Sequence, residues 1–295
     1  MARMLVSAVR HKAALQLRAR TAGDDPTGRA RAIWGSPGER RFTPTDPIWR
    51  VHSNGTMFLA GIRALLLQSL HPVAMAGVAQ NSTYRDDPWA RLQQISGFIS
   101  YTTYGSIPDA DRLMARVSKV HSRIAGVAPN GRAYRASDGD LLLWVHCAEI
   151  ESFLDVHQRW SRTPLTRAEA DHYVEQTQVA ALGIGVPDPP KTVAGLHDCL
   201  AAYRPALEGS TEALDVARYL RKPTGLSGAS LLSYAGLYRG AVATLPEYAR
   251  RMLDLDLPAP AHQAALLAGR AAVRSIQWML DDPLIQDDRR TFEQL

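Results

Sequence analysis

Cysteine is nearly missing from this chain: of 295 residues only Cys147 and Cys199 are cysteine, and neither belongs to a C-x-x-C pair. A disulfide framework has no basis here, and a reducing, cytoplasmic setting is the simplest expectation. Long apolar runs are missing as well. No segment offers eighteen uninterrupted apolar residues, so no single stretch is expected to cross a bilayer. The signatures of several common chemistries do not occur either. There is no G-x-G-x-x-G after a strand, no G-x-x-x-x-G-K, no H-E-x-x-H and no G-x-S-x-G. The usual marks of nucleotide binding and of zinc or serine hydrolysis are thereby removed. Internal repeats, low-complexity tracts and alternating strand patterns of useful length are also lacking.

What is present is apolar and helical. Hydrophobic residues make up 46% of the chain, ample for a sizeable core. Gly55 to Leu70 is apolar nearly all round apart from Arg63 and Gln68, the pattern of a buried central helix. His71-Pro72 ends or kinks it, because proline disfavours helical geometry in the residue before it. Asp87 and Pro88 read as the cap and first position of the next helix, and Pro108 opens another. Asn130-Gly131 marks a turn suited to a short hairpin. Thr166 with Glu169 three residues on reads as a capping box. These signals predict an all-α protein: one compact domain over residues 45–295 of about ten helices, preceded by an irregular basic arm over 1–44.

The net charge of +5 lies in that arm, where residues 1–41 hold nine basic against three acidic side chains and the remainder is near neutral. Such an arm is an electrostatic anchor for a membrane surface, an acidic partner or a polyphosphate, and no nucleic-acid partner is expected from it alone. Residues 1–20 are compatible with an amphipathic helix in peripheral contact with a membrane, and with a plain solvated helix, the simpler reading.

Histidines on apolar helix faces carry the functional question. Met114, Val117, His121 and Ile124 recur at spacings of three and four, so His121 sits in the apolar stripe of a basic helix. His146 shares a face with Leu142, Leu143, Ile150 and Phe153, and His71 stands at the broken end of the central helix. A buried imidazole finds a partner, stays neutral, or serves as a ligand. Three in a short interval favour a cofactor. A haem needs one axial imidazole, an apolar slot and basic groups for its propionates. A di-iron centre would need two Glu-x-x-His motifs. Only Glu169 to His172 supplies one, and its glutamate is already used in the capping box.

Four blocks, LLLQSLHPVAMAGVAQNSTYRDDPWARL, RVSKVHSRIAG, GRAYRASDGDLLLWVH and ALGIGVPDPPKT, resemble in order and spacing the MpaB-type and latex-clearing-protein (rubber oxygenase) catalytic domain, over about residues 45 to 250. The resemblance implies an all-α, haem b-binding oxygenase, its iron held by the protein, whose members cleave carbon–carbon double bonds of isoprenoid chains with dioxygen. Carried over by block, it implies His121 as the axial ligand of the iron and Arg91 as an arginine of the distal pocket. His146 is the rival ligand, and spacing alone does not rank the two. Arg116, Lys119 and Arg123 are then available as propionate partners, and His71 could approach the distal side or simply cap its helix. Where rubber oxygenases have a lysine and a threonine beside the arginine, this chain has Gln94 and Ile95, which implies a different substrate or a different handling of oxygen. The expected partners are dioxygen and an apolar, alkene-like small molecule. A non-catalytic haem sensor or carrier would share the ligand without the product.

Overall fold

The computed structural model of the protein describes residues 2–23, 25–82 and 87–282. Residues 83–86, inside the first of the four blocks, and 283–295, the end of the expected domain, lie outside the described residues. Among the described residues the protein is all-α apart from one hairpin, with fourteen α-helices rather than about ten.

Part of that excess lies in the arm. Residues 1–20, read as a helix, form α1 (Ala2–Ala22), whereas residues expected to be irregular form α2 (Pro26–Trp34) and, just beyond the arm, α3 (Pro47–His52). Their prolines sit at the first helical turn, where the missing N–H would have no partner anyway. Asp25 caps α2 by accepting from the Gly28 N–H at 2.7 Å. The arm is docked, not loose: His11 meets Asp282 at 2.7 Å, and the Arg10 and Arg20 guanidiniums stand 5.5 and 5.3 Å from the Trp278 and Trp89 rings.

The central helix is α4 (Met57–Gln68), which gives way at His71-Pro72 to α5 (Pro72–Asn81) with a bend of 110°. No single helix among the described residues is long and apolar enough to cross a membrane. Next come α6 (Pro88–Tyr104) and α7 (Ile107–His121). Asp87 Oδ1 caps α6 by accepting from the Ala90 N–H at 2.9 Å. The expected hairpin follows as β1 (Ala125–Val127) against β2 (Ala133–Arg135), antiparallel, with Gly131 at φ +81 in its turn.

The second half runs through α8 (Gly139–Trp160), α9 (Arg167–Ile184), α10 (Val193–Tyr203), α11 (Thr211–Arg221), α12 (Gly228–Thr244), α13 (Glu247–Met252) and α14 (Ala259–Leu280). The capping box at α9 is formed in both directions. The main core cluster spans α2, α3, α4, α6 and α8 to α14. At its centre the fully buried Arg63 of α4 donates to Glu151 of α8 at 2.5 and 3.0 Å, to Ser152 Oγ at 2.6 Å and to the Thr244 carbonyl at 3.2 Å. Burial works against that guanidinium, and the carboxylates of Glu151 and Asp155 outweigh it and raise its pKa. The one charge in the central helix is thereby accounted for.

Candidate functional site

A cavity of about 290 Å³ opens beside α8, close to the lower end of ordinary small-molecule sites. Its wall on that side is a helical stripe at spacings of three and four: Leu142, Val145, His146, Glu149, Ile150 and Phe153. Across from it stand side chains of α3, α5, α6, α7, α9 and the hairpin, mostly apolar, with Arg91 from α6, His121 from α7, Tyr134 from β2 and Gln176 from α9 among the polar exceptions.

Two imidazoles on this wall are incomplete. His121 Nδ1 and His146 Nε2 are buried and have no hydrogen-bond partner, and such a buried polar atom is costly unless something pairs with it. Burial lowers the pKa of His121, and the nearby Arg91 lowers it further. Burial pushes His146 down to about 4. Both rings are therefore neutral near pH 7 and can offer a nitrogen lone pair, the form in which imidazole acts as a ligand.

Arg91 lines the cavity while keeping much of its own surface uncovered. Burial lowers its pKa, and Glu149 pulls it back up. Glu149 is affected in the opposite sense. Burial pushes its carboxyl up to about 7 despite Arg91, so it holds its proton about half the time at neutral pH. Its spacing from His146 on one helix face was available in the sequence, since His146 and Glu149 are three apart.

His52 also lines the cavity and no sequence signal marks it. It is satisfied, with Thr103 Oγ1 at 2.8 Å on Nδ1 and Tyr173 Oη at 3.4 Å on Nε2. Gln176 is equally engaged: its Oε1 accepts from the Ile48 N–H at 2.9 Å and its Nε2 donates to Asp46 at 2.7 Å. These two residues hold α3 against α9 and shape the wall.

His121, His146 and Arg91 are thus brought to one cavity, and the other candidates are not. His71 is buried outside it, caps α5 by accepting from the Ala74 N–H at 3.3 Å, and lies among Trp144 and Tyr203. Arg116, Lys119 and Arg123 are exposed and none lines the cavity; the same holds for Gln94, whereas Ile95 is half-buried, also outside the lining. Glu169 is used by its cap and by Arg50. His172 is exposed and pairs with Glu175 at 3.0 Å. Among the described residues no three His, Cys, Asp or Glu side chains gather as a metal-binding set.

The fold and this site define a helical catalytic-type domain built around an apolar chamber with two free imidazole nitrogens. Residues 49–278 match the family described as ER-bound oxygenase mpaB/B′/rubber oxygenase, catalytic domain, and since the match covers most of the chain, the protein belongs to that oxygenase family. No curated protein and no solved structure is similar enough to this chain to count as a match. The arm, residues 1–44, lies outside the matched region.

Proposed function

We propose that this oxygenase is haem b-dependent, that His121 would hold the iron, and that the substrate is an apolar, alkene-containing small molecule oxidised with dioxygen. The observation that carries this reading is the pair of unpartnered imidazole nitrogens, His121 Nδ1 and that of its rival, His146 Nε2, on the wall of a mostly apolar cavity. The residues present fit the group: a neutral imidazole as donor, an apolar chamber, and one cation, Arg91, facing the interior. Haem bound there would supply the redox chemistry with dioxygen.

The protein's own residues would do the rest. Phe98, Ile99, Val145, Ile150 and Phe153 exclude water and accommodate an apolar chain. Arg91 offers fixed positive charge to an anionic group, either a haem propionate or charge that develops during reaction. Glu149, with its pKa near 7, can hold or release a proton at the cavity face. Arg116, Lys119 and Arg123, which stand in solvent, would have no contact with a propionate inside. A location in the cytoplasm, with α1 in peripheral contact with a membrane, accompanies this reading as a proposal of its own.

The test is the absorption spectrum of protein produced with ample haem, as purified and after dithionite, with a pyridine haemochrome assay. A stoichiometric b-type spectrum that is lost in His121→Ala supports the reading; a colourless protein that takes up no added haem, or a variant that keeps full haem and an unchanged Soret band, overturns it. A stable b-type protein that consumes no oxygen with alkenes would instead be a haem sensor or carrier.

A further inference from the structure

Two thiols lie side by side where α10 packs on α8, outside the cavity. Cys147 on α8 is fully buried, Cys199 on α10 is half-buried, and the Cys147 S–H donates to the Cys199 sulfur with Sγ atoms 3.3 Å apart. The two are 52 residues apart, so no local motif announces the pair. A disulfide needs the sulfurs at about 2.05 Å, so the two must close by a little over 1 Å. The access is asymmetric: Cys199 meets solvent and Cys147 does not. The hydrogen bond from Cys147 also lowers the pKa of Cys199, which favours thiolate at the sulfur an oxidant can reach.

We propose that Cys147 and Cys199 are a redox modification site, at which hydrogen peroxide converts the thiol pair into a reversible disulfide joining α10 to α8. The Cys199 thiolate attacks one peroxide oxygen, the O–O bond breaks, and with one proton taken up the products are Cys199 sulfenic acid and water. The Cys147 sulfur then displaces the hydroxyl from Cys199 sulfur, giving the disulfide and a second water. Two thiols and one peroxide become one disulfide and two waters, with the thiols oxidised and the peroxide reduced. The bond fixes α10 to the helix that presents His146 and Glu149 on another face, next to a chamber whose family chemistry uses oxygen. It does not depend on haem or on the identity of the substrate.

The experiment uses the full-length protein exposed to hydrogen peroxide, quenched with N-ethylmaleimide in denaturant and weighed intact. Untreated protein takes two labels. Treated protein takes none, is two hydrogens lighter, and regains both labels after dithiothreitol. Cys147→Ser stops at a sulfenic acid on Cys199 that dimedone traps, and Cys199→Ser keeps an alkylatable Cys147. Oxidised wild type melts above reduced by about 5 °C, as a medium-length cross-linked loop should. Two retained labels in wild type at peroxide levels that give the dimedone adduct in Cys147→Ser would overturn the proposal. So would sulfinic acid at Cys199 without a cross-link, or a disulfide between two chains.

Discussion

At the scale of single residues, two buried charges have different consequences. Arg63 has a side chain only 2% exposed, whereas its partner Glu151 is 14% exposed and faces a small surface pocket. Removing the Glu151 carboxylate leaves the core guanidinium only the more distant Asp155, 3.8 Å from its Nε, to balance its charge, while removing the guanidinium leaves a carboxylate that water can reach. Glu151→Leu should therefore cost about 3–5 kcal/mol in urea denaturation, Arg63→Met less, and the double variant should recover part of the loss. Equal costs for the two single changes would contradict the asymmetry. Glu149 behaves in the reverse way. Burial raises its folded pKa from 4.5 to about 7, so the stability it contributes is whole below about pH 4.5 and is lost as pH rises through 7. A glutamine stays neutral throughout. Glu149→Gln should therefore be more stable than wild type by about 1–3 kcal/mol at pH 8 and indistinguishable from it near pH 4.5, as read by urea midpoints at both values. A pH-independent difference would mean that shape, not ionisation, separates the two side chains.

Among the helices, α12 and α14 meet closely enough that side chains are excluded at one point. A Cβ on Gly240 would stand 2.5 Å from Gly269 Cα and 2.6 Å from Leu59 Cδ1, backbone on one side and a packed core residue on the other. Gly61 in α4 has nothing within 4 Å of the same position. Gly240→Ala should destabilise by about 1–3 kcal/mol through overpacking, whereas Gly61→Ala should be neutral or gain up to ~1 kcal/mol from helix propensity. Thermal unfolding of the pair checks this, and a similar change for both would remove the close approach as the cause. Local signals of this kind of structure were legible where the chemistry is local. The capping box at Thr166, the Asp87 cap and the break at His71-Pro72 are each decided within four residues. Beyond residue 20 the prolines resemble breakers, although Pro26 and Pro47 each follow an aspartate and start a helix. The Gly240–Gly269 contact left no trace in the sequence, since spacing gives a face and not its partner.

For the whole molecule, the cavity gathers residues from seven elements and from the connections beside them, which explains how much of it the sequence could show. His121 and His146 were readable because each lies on the apolar stripe of its own helix; His52 and Gln176 reach the wall through the packing of α3 on α9, a tertiary fact. The same burial makes acid the protein's weak side. Burial pushes His52 down to about 3 and both His146 and His157 down to about 4, with His157 lowering His52 further and Arg50 adding to the effect on His157. Each folded pKa is below the ordinary 6.5, so the stability these neutral rings contribute is present above pH 6.5 and is lost as pH falls toward 4 and then 3. Glu149 runs the opposite way over pH 4.5 to 7, but it is one group against these three and the likewise lowered His71 and His121. Urea midpoints of the protein should therefore fall steeply from pH 6.5 to pH 4, a loss on the order of several kcal/mol. His52→Gln and His157→Gln should each lower the stability at pH 7 while making the acid decline shallower, because the variant has one fewer ring to protonate on unfolding. A midpoint that stays flat down to pH 4 in wild type would show that these rings are hydrated in solution, and the cavity that His52 and His146 border would then be open to water rather than dry.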